Sequence, residues 1–141
     1  MTVMTSSRPG PATVASAMLR SPKLCGPQTK VADLRVFFDD PHVHAALVVR
    51  DGVLISVVER DDLVGQKAEA PALECGSLRG RTLTADADLE LTHREMLALG
   101  RRRLTVVDAG GRVLGLLCLK RHGRGFCSEQ DVLERAAELG G

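Results

Sequence analysis

The feature that most constrains this chain is that it says the same thing twice. Residues 29–63, TKVADLRVFFDDPHVHAALVVRDGVLISVVERDDL, lie over residues 87–123, ADLELTHREMLALGRRRLTVVDAGGRVLGLLCLKRHG, at an offset of 58. Val31 falls on Leu89, Phe38 on Met96, and Val48-Val49 on Val106-Val107. Past the central turn the offset becomes 59, so that Ser56 falls on Gly115. The extra residue sits where RDG faces DAGG, a loop in which insertion is cheap. Internal repeats of this kind are supersecondary units that cannot bury their apolar faces alone. The two copies are expected to pack against one another about a pseudo-twofold axis.

Each copy reads the same way. A helix comes first, with Val31, Leu34, Phe37 and Phe38 at spacings of three and four, answered by Leu89, Thr92, Met96 and Leu97. A strand follows, AALVVR (45–50) or RLTVVD (103–108), and then a turn carried by Asp51-Gly52 or Gly110-Gly111, both strong hairpin signals. The second strand is VLISVV (53–58) or RVLGLLCL (112–119). A closing helix ends each copy; in the second it is expected over 128–139, with Ser128 as N-cap and Asp131 answering it. Short extended pieces, PKLCG (22–26) and RTLTA (81–85), precede the helices. The order is β-α-β-β-α, twice, an α+β fold. The boundaries read as a disordered tail over 1–12, a first repeat over 13–66, a linker over 67–77 and a second repeat over 78–139.

At 141 residues the chain buries roughly two-thirds of its unfolded surface, enough for a core without staples. Net charge is +1, with no Trp, no Tyr and three Phe. That argues against a stacking platform for single-stranded nucleic acid, and no nucleic-acid partner is expected. No apolar run approaches the roughly 18 residues of a membrane span, so no membrane partner is expected. Residues 1–32 hold Arg8, Arg20, Lys23 and Lys30 and no acid, as transit peptides do. Ordered pattern begins near Val14, which favours a short tail instead. With no continuous apolar segment in the first thirty residues to act as a signal, the cysteines are expected reduced and the protein cytoplasmic.

With TVASAML (13–19), the helix from Thr29, AALVVRDGVLISVVERDDL and RRRLTVVDAGGRVLGLLCLK on the page, the chain resembles a tandem pair of CBS domains, a Bateman module, over roughly residues 13–137. The resemblance implies two CBS repeats, a homodimer, no catalysis and no cofactor. It implies an adenosyl ligand (AMP, ADP, ATP or S-adenosylmethionine) held between the repeats, and regulation of an unidentified protein partner in trans. In such modules the second strand typically ends in Gly-apolar-apolar-Thr/Ser-x-x-Asp. The Asp takes the ribose hydroxyls, and the hydroxyl side chain sits at a helix start beside the phosphate. A carboxylate suits vicinal hydroxyls, and a helix N-terminus suits phosphate.

The first copy reads Ser56-Val57-Val58-Glu59-Arg60-Asp61-Asp62, with Asp62 in the ribose position and Glu59 where the hydroxyl belongs. Glu59 either faces the ligand or caps its own helix. The second copy reads Gly115-Leu116-Leu117-Cys118-Leu119-Lys120-Arg121, and Arg121, in the acid's place, accepts no hydrogen bond. Ala46 and Leu104 stand where the resemblance places a Pro against the adenine. His42 and His44 lie just before the first hairpin strand, near the expected ligand. Arg101-Arg102-Arg103 and Lys120, Arg121 and Arg124 form an anion site if both clusters face one cleft. The ligand-binding residues are therefore expected to be Asp62, Glu59, His44, Ala46, Arg103 and Arg121. Cys118, His122 and Cys127 have donor types that suit zinc. The spacing is not that of a zinc knuckle, however, and a small buried thiol is the reading preferred for Cys118. A ligand-blind interaction module with a decayed site is the alternative function.

Overall fold

The computed structural model describes residues 12–41 and 43–128. Among the described residues are two three-stranded sheets and two α-helices. In the first repeat these are β1 (Leu24–Cys25), α1 (Val31–Phe37), β2 (Ala45–Arg50) and β3 (Val53–Glu59). In the second they are β4 (Thr82–Thr84), α2 (Leu89–Leu99), β5 (Arg103–Val107) and β6 (Val113–Cys118). Each sheet runs parallel between its first two strands and antiparallel in its hairpin. The register breaks at Val48/Val49 in one hairpin and at Val106/Val107 in the other, again 58 residues apart.

The hairpin turns explain the change of offset. Asp51 and Gly52 both take positive φ (52° and 81°), the backbone of a two-residue type I′ turn. In the second hairpin Asp108 bonds Arg112 through the main chain, and Gly111 alone of the loop residues 109–111 takes positive φ. That is a three-residue loop with glycine in the left-handed position. The Asp108 carboxylate accepts from the N–H groups of Gly110 and Arg112. One residue more in the turn is the whole of the shift from 58 to 59.

The turns also meet each other. Leu54 N–H donates to Gly111 O and Val113 N–H to Gly52 O. These are the same bond written twice under the 59-residue offset, so the pseudo-twofold axis passes between the hairpins. Leu47, Leu54 and Val57 form a buried cluster there, with Val107 and Val113 packed against it.

The lead-in segments are exchanged. Val14 is fully buried in the second repeat's core with Met96, Val106 and Leu117, while Ala72, its counterpart at +58, is buried in the first repeat's core with Val31, Leu34 and Phe38. Leu89 N–H donates to Ala12 O, as Val31 N–H donates to Ala70 O. Leu19 bridges Leu116, as Ser77 bridges Val57. Each crossing is tight enough to require one glycine. A Cβ on Gly115 would stand 2.5 Å from Leu19 O, and one on Gly76 would collide with Val57 O. At equivalent points the glycine lies on the strand in one repeat and on the incoming segment in the other.

The helices differ in length for local reasons. Pro41 follows α1 within a few residues and disfavours helix before it. By contrast α2 starts on the Asp88 side chain, which accepts from Leu91 N–H, and ends on Gly100 at φ 67°. Thr92 and Met96 are buried as the periodicity requires, but Leu97 is half-exposed, on the rim of the stripe rather than within it. The helical element that closes repeat one is only a four-residue 3-10 turn, Arg60–Leu63. Its Leu63 joins the core, and Gly65 at φ 79° follows within two residues. The closing helix expected over 128–139 lies outside the described residues beyond Ser128, as does His42. Among the described residues no helix is long and apolar enough to cross a membrane.

Candidate functional site

The end of β3 meets the start of β5 from the other repeat at a polar cleft of about 360 Å³. Repeat one contributes His44, Glu59, Arg60 and Asp61, and repeat two contributes Leu99, Gly100, Arg101, Arg102 and Arg103. Four arginines and two carboxylates thus line it. The αL turn at Gly100 delivers the arginines, because it ends α2 and points the chain directly into β5. A second, more apolar pocket of about 440 Å³ adjoins it and shares Leu99 and Arg101. Leu83, Leu91, Met96 and Leu104 line this half, with Thr82 and Thr92.

Beneath the cleft lies a cluster of four charges that ties the repeats together. Arg81 donates through Nη1 to Asp62 Oδ2 (2.7 Å) and through Nη2 to Asp62 Oδ1 (3.2 Å). It also reaches Val57 O and pairs with Glu59 at 3.4 Å. The other Glu59 oxygen accepts from Arg101 Nη1 at 2.8 Å. Asp62 Oδ2 takes a further bond from Glu59 N–H (2.7 Å), closing the turn on itself. Burial pushes the Asp62 carboxyl pKa up, but the Arg81 hydrogen bonds, the Glu59 N–H and the charges of Arg81 and Arg101 outweigh it and hold the pKa below 3.8. The hydrogen bond to Asp62 raises the Arg81 pKa, against burial.

The structure brings three expected site residues to the cleft: His44, Glu59 and Arg103. The other three are not among its lining residues. Ala46 is fully buried in the first core. Arg121 is exposed in the turn after β6. Asp62 lies below the cleft with both oxygens engaged. Of the two basic clusters only Arg101–Arg103 faces this space; Lys120, Arg121 and Arg124 do not line it. Arg60 lines the cleft but is committed to a neighbouring loop. Its guanidinium donates to Phe38 O and Val43 O and stacks over the Phe38 ring at 5.2 Å.

Sequence reading missed Arg81. Its one signal is that a base, Lys23, stands at the equivalent position 58 residues earlier. Cys118 is buried in β6 with its sulfur against Cys127, and His122 Nδ1 accepts from Arg124 N–H. Among the described residues no three His, Cys, Asp or Glu side chains gather as a metal would require.

No protein-family model and no curated protein matches the sequence. Among solved structures the chain is similar to CBSX2 in complex with AMP, at 22% identity over 92% of this chain and 99% of that one, TM-score 0.66. It is similar to the cytosolic domain of the Mg2+ channel MgtE in complex with ATP, at 21% identity and TM-score 0.63, covering 88% of this chain and 48% of that one. The chain therefore spans about half the length of the MgtE domain. A third likeness is to the cystathionine β-synthase (CBS) pair domain of a putative Mg2+ transporter from Shewanella oneidensis, at 18% identity over 90% of this chain and 73% of that one, TM-score 0.69. At these identities the likeness is one of fold, and the chain has the fold of a tandem CBS pair.

Proposed function

We propose that this chain is a non-catalytic regulatory module whose inter-repeat cleft takes a phosphate-bearing adenosyl ligand. The observation that carries the reading is the run Arg101–Arg103 of repeat two facing His44 and Glu59 of repeat one across one cleft. Guanidinium groups recognise phosphate oxygens in pairs. The adjoining apolar half offers Leu83, Leu91, Met96 and Leu104 to a purine, which aliphatic side chains grip where aromatic ones are absent. CBSX2 with AMP and MgtE with ATP carry ligands of this class on the same fold.

Glu59 is neutralised by Arg81 and Arg101, which offsets the repulsion a carboxylate beside a phosphate would bring. Asp62 serves as the anchor of that cluster, setting Glu59 and Arg101 at the cleft floor rather than holding the ribose. An arginine-lined cleft favours ATP over AMP and disfavours the cationic sulfonium of S-adenosylmethionine. Signal passes to a protein partner in trans. Two copies associate through the helices, where Val36 and Leu97 are exposed.

The second reading is a ligand-blind interaction module, and the observation in its favour is the saturation of Asp62 by Arg81. Isothermal calorimetry with ATP, AMP, adenosine and S-adenosylmethionine separates the two. The expected order is ATP, then AMP, then adenosine and S-adenosylmethionine. Arg103→Ala is expected to weaken ATP about ten- to a hundredfold, the worth of a charge-assisted contact. No heat with any of the four up to millimolar concentration would establish the ligand-blind module.

A further inference from the structure

Outside the cleft, one pair of reactive side chains is brought together that the function above does not use. Cys118 ends β6. The chain then turns through residues 120–125 and comes back, so that Phe126 bridges Leu119 and Cys127 stands directly opposite Cys118. Cys127 N–H donates to Cys118 O at 2.7 Å, and the two sulfurs are 2.7 Å apart. That separation is inside the contact distance of two sulfur atoms, longer than the roughly 2.05 Å of a disulfide bond. Both residues are buried, at 3% and 8% exposure, with Leu19 packed on them.

We propose that Cys118 and Cys127 form a reversible dithiol–disulfide site that locks the 119–126 hairpin onto the second sheet. The oxidant is a low-molecular-weight disulfide such as oxidised glutathione. One protein thiolate attacks a sulfur of that disulfide, expels one glutathione thiolate and forms a mixed disulfide. The second protein thiolate attacks the protein sulfur of that bond and expels the other glutathione. Two thiols become one disulfide, and their two protons end on the two expelled thiolates, which leave as reduced glutathione.

The surroundings favour this pair over the other two cysteines. The Cys118 and Cys127 sulfurs already face each other, whereas the Cys75 thiol donates to Pro71 O. Access comes through the hairpin, whose residues Arg121, His122 and Arg124 are exposed and whose tip carries Gly123 and Gly125. Reduced, the hairpin rests on α2 through His93, which contacts Gly123 O and the Phe126 ring. Oxidised, it is also closed covalently at its base, and its basic residues are fixed relative to β6.

The test is to incubate the folded chain in glutathione redox buffers, quench with an alkylating agent and map the cysteines by mass spectrometry. The expected product has lost the mass of two hydrogens, carries a 118–127 linkage and retains two alkylatable thiols, Cys25 and Cys75. Its Tm is expected to rise by a few degrees and to return on reduction. A Cys25→Ser/Cys75→Ser variant, which leaves the pair untouched, is expected to behave the same way. Linkage through Cys25 or Cys75 would overturn the proposal. So would a 118–127 bond that forms only in denaturant, or none at redox ratios where oxidised glutathione predominates.

Discussion

The two repeats share a backbone plan down to the register break in each hairpin, and differ most at one equivalent point, the end of the second hairpin strand. In repeat one that point is Glu59, which enters a short 3-10 turn and an ionic cluster with Arg81, Asp62 and Arg101. In repeat two it is Cys118, which enters a returning hairpin and meets Cys127. One junction is held by charges drawn from both repeats and lies under the polar cleft. The other brings two cysteine sulfurs together within a single repeat. The crossings behind them are complementary too: glycine on the incoming segment (Gly76) faces Ser56, while glycine on the strand (Gly115) faces Met18. Duplication supplies the frame, and divergence at a few junction residues decides what each half does.

The comparison is broken most severely at the crossings. Gly115→Ala drives a methyl group into Leu19 O and is expected to cost about 2–3 kcal/mol, seen as a lower urea midpoint. Gly76→Ala is expected to cost a similar amount against Val57 O, since the two crossings are equivalent. If one glycine tolerates the methyl freely, that crossing opens more easily than its mate.

Next comes the ionic junction. Asp62→Ala leaves Arg81 beside Glu59 alone and removes the bond to Glu59 N–H. The expected loss is about 1.5–3 kcal/mol by denaturant unfolding. The same carboxylate gives a pH signature with a definite sign. Its pKa is lower folded than unfolded, so its contribution is present above 3.8 and fades as pH falls through 3.8 toward the folded value. Urea midpoints of wild type and Asp62→Asn are therefore expected to draw together on acidification below about pH 4, and a constant gap would contradict the account. The smallest effect is expected at Thr105, whose buried hydroxyl has no hydrogen-bond partner among the described residues and which stands where repeat one has Leu47. Thr105→Val is expected to be neutral or stabilising by up to about 1 kcal/mol.

Much of the frame was legible because periodicity and turn chemistry are local. Spacings of three and four located α1 and α2, the turns Asp51-Gly52 and Gly110-Gly111 located the hairpins, and the comparison of those turns located the extra residue. The exchange of lead-in segments left no mark. Val14 and Ala72 are equivalent residues, so swapping their destinations changes no pattern. The ionic cluster was hidden for another reason: Asp62 and Arg81 are 19 residues apart with no periodic relation, and only folding reveals that the ribose-type acid already holds a guanidinium. Leu97 misled because the rim of a helical stripe and its centre look alike in sequence. Of the residues expected at the site, His44, Glu59 and Arg103 line the cleft, each beside a recognisable strand, whereas Ala46 lies in the core and Arg121 in an exposed turn.

The most direct test of the central claim is the structure of the chain crystallised with ATP. The account predicts phosphate oxygens within hydrogen-bonding distance of Arg102 or Arg103, the purine against Leu104, and Arg81 still paired with Asp62. Ribose hydroxyls on Asp62, with Arg81 displaced, would contradict it.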